Sequence, residues 1–192
     1  MNQPNLLLKR TMEPDLTKIS FDHVRQAIND IGDCDGQRAL HLTTLIEAAH
    51  AYLEAHTKRS ILTQAWELTI TAPSETVQLP RGPVTEVTHV EHATGNGECW
   101  QKLPYSDWEY SEGCLWLRGD ATYPCGAKPR LRVFYVAGAA ELERMEFLAL
   151  SMLVGHWDYN RIATSDIKQH TVPLGFEGVV SILRNRYLHS AV

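Results

Sequence analysis

Residues 56–71 read "HTKRSILTQAWELTIT", and inside this stretch the hydrophobic period changes from that of a helix to that of a strand. Upstream, from about Gln37 to Thr57, Leu42, Leu45, Ile46, Ala49 and Leu53 recur three and four positions apart, the spacing of one buried helical face. "HTKR" at 56–59 sets positive charge at that helix's C-terminal end, where the helix dipole favours it. Downstream, Trp66, Leu68 and Ile70 alternate with Glu67, Thr69 and Thr71, as in a strand with one face buried. A long helix thus runs into a β region, and the flanks decide the fold class.

Before the long helix, Ser20 is a good N-cap for "FDHVRQAINDI", with Phe21, Val24, Ala27, Ile28 and Ile31 on one helical face. After "AWELTIT", "TVQL" at 76–79 and "VTHVEHA" at 87–93 read as strands, and the Asn-Gly of "TGNGE" marks a hairpin turn. "CWQKL", "CLWLR" and "RLRVFYV" carry the β region to about Val136. A helix from roughly Glu141 to Ala163 and a final one opening at Pro173 close the chain. The order is two helices, about six strands, two helices. The expected fold is α+β: a helical bundle (19–60 and 140–187) with a small antiparallel β-domain inserted at 61–138, an extended N-terminal arm at 1–18 and a C-terminal tail at 188–192.

Composition narrows the function classes. Hydrophobic content of 44% and charged content of 21% are those of a globular chain of 192 residues. The longest apolar runs, such as "FLALSMLV" at 147–154, fall short of the roughly 20 residues of a membrane span, so no membrane association is expected. "MNQPNLLLKRTMEPD" has no secretory pattern. A net charge of −5 argues against a chain built to grip phosphates, because counterion release drives that binding. Cys34, Cys99, Cys114 and Cys125 show no CxxC and read as reduced thiols, with Cys99 and Cys114 expected as small apolar residues in the β core.

The densest chemistry lies in "LVGHWDYNR" at 153–161. On a helix His156 and Asp158 point to different sides, so they form no relay. The pairs that meet are Leu153 with Trp157, His156 with Asn160, Trp157 with Arg161, and Asp158 with Arg161. That is the pattern of a packed helix end or subunit contact, so His156, Trp157, Asp158, Tyr159 and Arg161 are candidates for packing or a subunit interface. "DIGDCDG" at 30–36 fails as a calcium loop, because Ile31 and Leu42 would occupy its first and twelfth positions. His89 and His92 face opposite sides of a strand, His50 and His56 diverge on a helix, and HExxH is absent, so no metal is expected. Asp107, Glu109 and Glu112 in "SDWEYSE" read as a solvated strand edge. GxSxG, P-loop and phosphate-binding glycine signatures are absent; neither catalysis nor a cofactor is expected.

Taken in order, "ISFDHVRQAI", "LIEAAHAYLEAHTKRSILTQAWEL", "LPRGPVTEV", "PRLRVFYVAGA", "LALSMLVGHWDYNR" and "VPLGFEGVVSILR" resemble the head–tail connector (adaptor, head-completion or DNA-packaging) family of long-tailed bacteriophages and prophages, over about residues 19–184. Tyr123-Pro124 stands where relatives often show Trp-Pro. The resemblance implies a non-enzymatic protein of the virion neck, assembled from the host cytoplasm. It implies a homo-oligomeric ring, usually twelve-fold, beneath the portal. That ring joins portal to a neck, stopper or tail-completion protein and lines part of the channel near the genomic double-stranded DNA. Beyond the last apolar face, Arg184, Arg186, Tyr187 and His189 are candidates for contacting the portal or a neighbouring subunit, Arg and Tyr being favoured at interface centres. The alternatives are a hydrolase using the β-domain carboxylates, or a stopper or tail terminator. The latter are more commonly β-dominated, and the long helices favour the adaptor.

Overall fold

The computed structural model describes residues 6–32, 34–71, 73–93, 99–118, 130–160 and 174–189, with backbone alone at 174 and 185–189. The chain begins with strand β1 (Leu6–Met12), then enters helix α1 (Phe21–Ala27), capped by Ser20, whose hydroxyl accepts from His23 N–H. Helix α2 (Gly36–Thr57) starts where the Asp35 carboxylate accepts the Arg38 N–H and stops at Lys58, whose φ of 56° turns the chain left-handed.

Eight strands are present among the described residues rather than about six. They continue with β2 (Gln64–Thr71), β3 (Thr76–Gln78), β4 (Val84–Ala93), β5 (Gln101–Lys102), β6 (Trp108–Ser111), β7 (Cys114–Leu117) and β8 (Arg130–Ala137). Helices α3 (Arg144–Tyr159) and α4 (Leu174–His189) follow. The α+β class stands, with every named strand pairing antiparallel. The "TGNGE" turn, Cys125 and Tyr123-Pro124 lie outside the described residues.

The two sheets have the orders β1-β2-β8-β4-β5 and β3-β7-β6 and close on one apolar core. The β2 alternation is literal: Gln64, Trp66, Leu68 and Ile70 are buried, and the residues between them half-buried. Helices α2, α3 and α4 build a second core around Leu42, Leu53, Leu150, Leu153 and Phe176.

Four expectations change. Leu6–Met12 is extended, as an arm would be, yet it is the sheet's edge strand, paired along β2 from Leu6↔Ile70 to Met12↔Ala65. The β layer is therefore entered before α1, not only inserted after α2. Ile31 is 90% exposed, because α1 ends at Ala27 and the chain has already turned away at Asn29, with φ 56°. Cys99 is exposed and Cys114 half-buried, on the outward side of its strand, so neither is a core residue. Helix α3 begins only at Arg144, where Glu143 N–H donates to the Glu146 carboxylate 3.0 Å away. No described helix is long and apolar enough to cross a membrane.

Candidate subunit and partner interfaces

The residues of "LVGHWDYNR" separate into two groups once folded. Trp157 is half-buried, its ring edge-on to Tyr52 of α2 at 5.6 Å. His156 and Asn160 meet as the helical spacing requires: the Asn160 amide lies 3.1 Å from His156 Nδ1 and donates to the His156 carbonyl at 2.8 Å, capping α3. Tyr159 is 89% exposed, so within the single chain it anchors nothing. Arg161 lies outside the described residues, and with it the expected Trp157–Arg161 and Asp158–Arg161 pairs.

Asp158 has a partner that local spacing does not reveal. Arg38 of α2 donates through Nη1 and Nη2 to the two Asp158 carboxylate oxygens at 2.6 and 2.7 Å, a two-pronged bond. The same guanidinium reaches Asp30, which Arg25 also contacts at 3.2 Å, while His41 Nε2 stands 3.3 Å from Asp158. Hydrogen bonding from Arg38, seconded by Arg25, holds the Asp30 carboxyl below the usual carboxylate range against the opposing effect of burial. Asp158 in turn favours the charged form of Arg38. The acidic turn rejected as a calcium loop is thus a clasp joining α1, α2 and α3. Next to this clasp in sequence, Ile31 and Tyr159 present large apolar side chains to solvent, and Leu40 (70% exposed) does so from another side of α2.

A second polar centre ties helices to sheets. Glu54 is 3% exposed, and its carboxylate accepts from Ile61 N–H at 2.9 Å, from the Gln64 amide, and from Arg10 of β1 at 3.0 Å. His50, also 3% exposed, lies one turn away with Nε2 3.8 Å from Glu54. Burial pushes the His50 imidazole below its ordinary value; Glu54 opposes that shift and Arg10 adds to it. Arg81 donates to the Glu54 carbonyl at 2.9 Å, Ser60 N–H donates to the Arg81 carbonyl at 3.1 Å, and Arg59 Nη1 donates to the Leu183 carbonyl at 3.3 Å. "HTKRSILTQAWEL", "LPRGPV" and the end of "VPLGFEGVVSIL", far apart in sequence, therefore converge on one junction.

Arg184 donates through Nε and Nη2 to the His56 carbonyl at 3.2 and 2.7 Å, satisfying the C-terminal end of α2. Arg186, Tyr187 and His189 lie on α4 by their backbone, their side chains outside the description. Of the carboxylates considered for hydrolysis, Glu109 and Glu112 are exposed beside Trp116, and Glu109 pairs with the likewise exposed Arg118 at 3.6 Å. Asp107 sits in the short turn before β6. Among the described residues, no group of three or more His, Cys, Asp or Glu could hold a metal ion.

No family model matches the chain, and no curated protein matches it. Solved structures that share its fold include three of gene transfer agent particles. A chain in the neck of an empty GTA particle computed with C6 symmetry superposes at a TM-score of 0.74, with 18% identity, over 93% of this chain and 95% of that one. A chain in the virion of a native gene transfer agent (GTA) particle gives 0.71, 18%, 93% and 95%. A chain in the neck of a native GTA particle computed with C12 symmetry gives 0.71, 18%, 93% and 94%. The chain therefore has the fold of a component found in virion and neck structures of gene transfer agents, and it covers nearly the whole of each.

Proposed function

We propose that this chain is a structural neck protein of a phage or phage-like particle, an adaptor subunit that forms a ring beneath the portal and joins it to the next neck or tail protein. The observation that carries the reading is the end-to-end fold likeness to chains of gene transfer agent necks computed with C6 and C12 symmetry. Cyclic symmetry of that kind fits a homo-oligomeric ring, usually twelve-fold in the family the sequence resembles, whose subunits contact through two different surfaces. The helical bundle (19–60 and 140–187) serves as one body of the subunit and the β layer as the other. Its role is structural, not enzymatic.

Two features support the reading. The exposed Ile31 and Tyr159, next to the Arg38–Asp158 clasp in sequence, suit burial against a neighbouring subunit, with Tyr159 as an anchor. The net charge of −5 suits a channel wall past which double-stranded DNA slides without being gripped. Assembly takes place in the host cytoplasm and the mature location is the virion neck. The test is genetic: removing this chain from a producing cell should yield DNA-filled heads and free tails, joined again when the chain is supplied in trans. Intact tailed particles in its absence would sink the proposal.

A further inference from the structure

A cavity of about 670 Å³ opens on the side of the β layer where β1 and β3 end the two sheets. Its cause lies in the unequal sheets. Five strands face three, so Leu6 of β1 overhangs the shorter sheet and is 62% exposed. Leu6, Ile70, Val77 and Leu79 give the cavity an apolar lining, and Lys58, Arg81 and Arg184 gather on it beside the α2 C-terminus. Among the described residues no carboxylate lines the cavity or pairs with any of these three cations. Arg81 and Arg184 donate instead to the backbone carbonyls of Glu54 and His56.

The cavity is also bordered by backbone that has no strand partner among the described residues. Leu79 N–H donates to the Gly113 carbonyl and Leu117 N–H to the Glu75 carbonyl, so Val77 between them bonds to β7 as well. By the two-residue alternation Thr76 and Gln78 point their backbone groups out of the sheet. The Ser74 hydroxyl takes the Thr76 carbonyl, and among the described residues the Thr76 N–H and both groups of Gln78 meet no backbone partner at the edge.

We propose that this cavity receives an extended acidic–apolar segment of a different protein, which adds a strand to the free edge of β3. Its alternate apolar side chains enter the cavity and cover the exposed Leu6, and a carboxylate at one end settles among Lys58, Arg81 and Arg184. Backbone pairing supplies affinity in such strand additions, while the side-chain pockets and the charge supply register. A second copy of this chain is a poorer occupant. Its free edges fit poorly: β6 turns Trp108 and Tyr110 into its own core, β5 is only Gln101–Lys102, and β1, which does expose Leu6 and Leu7, carries Lys9 and Arg10 and no carboxylate.

The cavity and the β3 edge are features of the single chain; only the source of the segment rests on the proposed neck role. The experiment uses the intact chain and overlapping twelve-residue peptides spanning the portal and the neck proteins encoded with it, together with peptides of this chain itself, read by fluorescence anisotropy. A peptide with alternating apolar residues and a carboxylate should bind, and Lys58→Glu should weaken it by about tenfold or more. Gln78→Pro should weaken it similarly, since it removes an outward N–H but no bond to β7. Circular dichroism on both variants checks that the fold is kept. The proposal is overturned if no peptide binds better than its scrambled counterpart, if the binder comes from this chain, or if Lys58→Glu changes nothing. A ring on the portal with no foreign strand beside β3 would also sink this inference and leave the neck role standing. Peptide binding without a ring would do the reverse.

Discussion

The Arg38 guanidinium grips the Asp158 carboxylate with two hydrogen bonds of 2.6 and 2.7 Å, joining the first turn of α2 to the last turn of α3 across 120 residues of chain. Both side chains are mostly shielded, so the pair is worth more than a surface ion pair and its loss strands charge. Arg38→Ala should cost about 1.5–3 kcal/mol in urea unfolding, the range for hydrogen bonds to charged groups. Arg38→Lys should recover only part of that, because one ammonium cannot supply the planar fork. Full recovery by Lys would show that only charge matters at this site.

The same clasp gives an acid-side signature through Asp30. Its carboxyl is held low in the folded chain by Arg38 and Arg25, so the unfolded chain takes up the proton first as pH falls. The contribution is complete above the ordinary carboxylate pKa near 4 and is lost as pH drops through and below it. Asp30→Asn should therefore lower stability at pH 7 and bring the variant and parent curves together toward pH 3. Parallel curves across that window would contradict the assignment.

His50 titrates in the opposite setting. Burial holds its folded pKa below the unfolded value near 6.5, so acidification protonates the unfolded chain first. Stability should fall as pH goes below about 6.5, by at most about 1.4 kcal/mol per pH unit for one proton. His50→Gln should flatten that slope when denaturation midpoints are compared at pH 7.5 and 5.5. An unchanged slope would move the effect elsewhere.

Glu54 sits under the junction and has no apolar substitute of the same reach. Removing it leaves Ile61 N–H, the Gln64 amide and Arg10 without their shared acceptor. Glu54→Ala should cost about 3–5 kcal/mol, the range for breaking a buried charged pair from one side. Arg10→Ala should cost less, since that guanidinium also reaches the exposed Glu13 and is partly solvated. Thermal midpoints rank the two.

Trp157 and Tyr159 should part company. Trp157→Ala removes a half-buried ring from the α2–α3 seam and should cost about 2–3 kcal/mol, below the ~3–5 of a fully buried aromatic. Tyr159→Ala should leave the melting temperature of the isolated chain unchanged and weaken ring assembly, read by sedimentation of the portal complex. A Tyr159 variant that assembles normally would remove that residue from the interface.

These outcomes trace what local pattern could and could not reveal. The helix-to-strand switch across 56–71 was legible because burial there follows a strict period, visible in four alternate β2 residues. β1 was not, because "LLLKRTM" does not alternate cleanly and owes its strand to pairing with residues more than fifty positions away. The His156–Asn160 contact lay within one helical turn and was readable. The Arg38–Asp158 bond is set by how α2 packs on α3, and no i, i+4 rule reaches it. Glu54 carried no signal at all: a lone acid on a helix becomes a hub only once β1, β2 and the Arg81 loop close around it.

The central claim is that this chain forms a ring on the portal, and co-purification with the portal protein of the same genome followed by single-particle imaging tests it most directly. A ring of this chain should stand stacked on the portal's narrow end, with Tyr159 and Ile31 at contacts between copies. Both proteins folded and monodisperse, with no association at micromolar concentration, would contradict it.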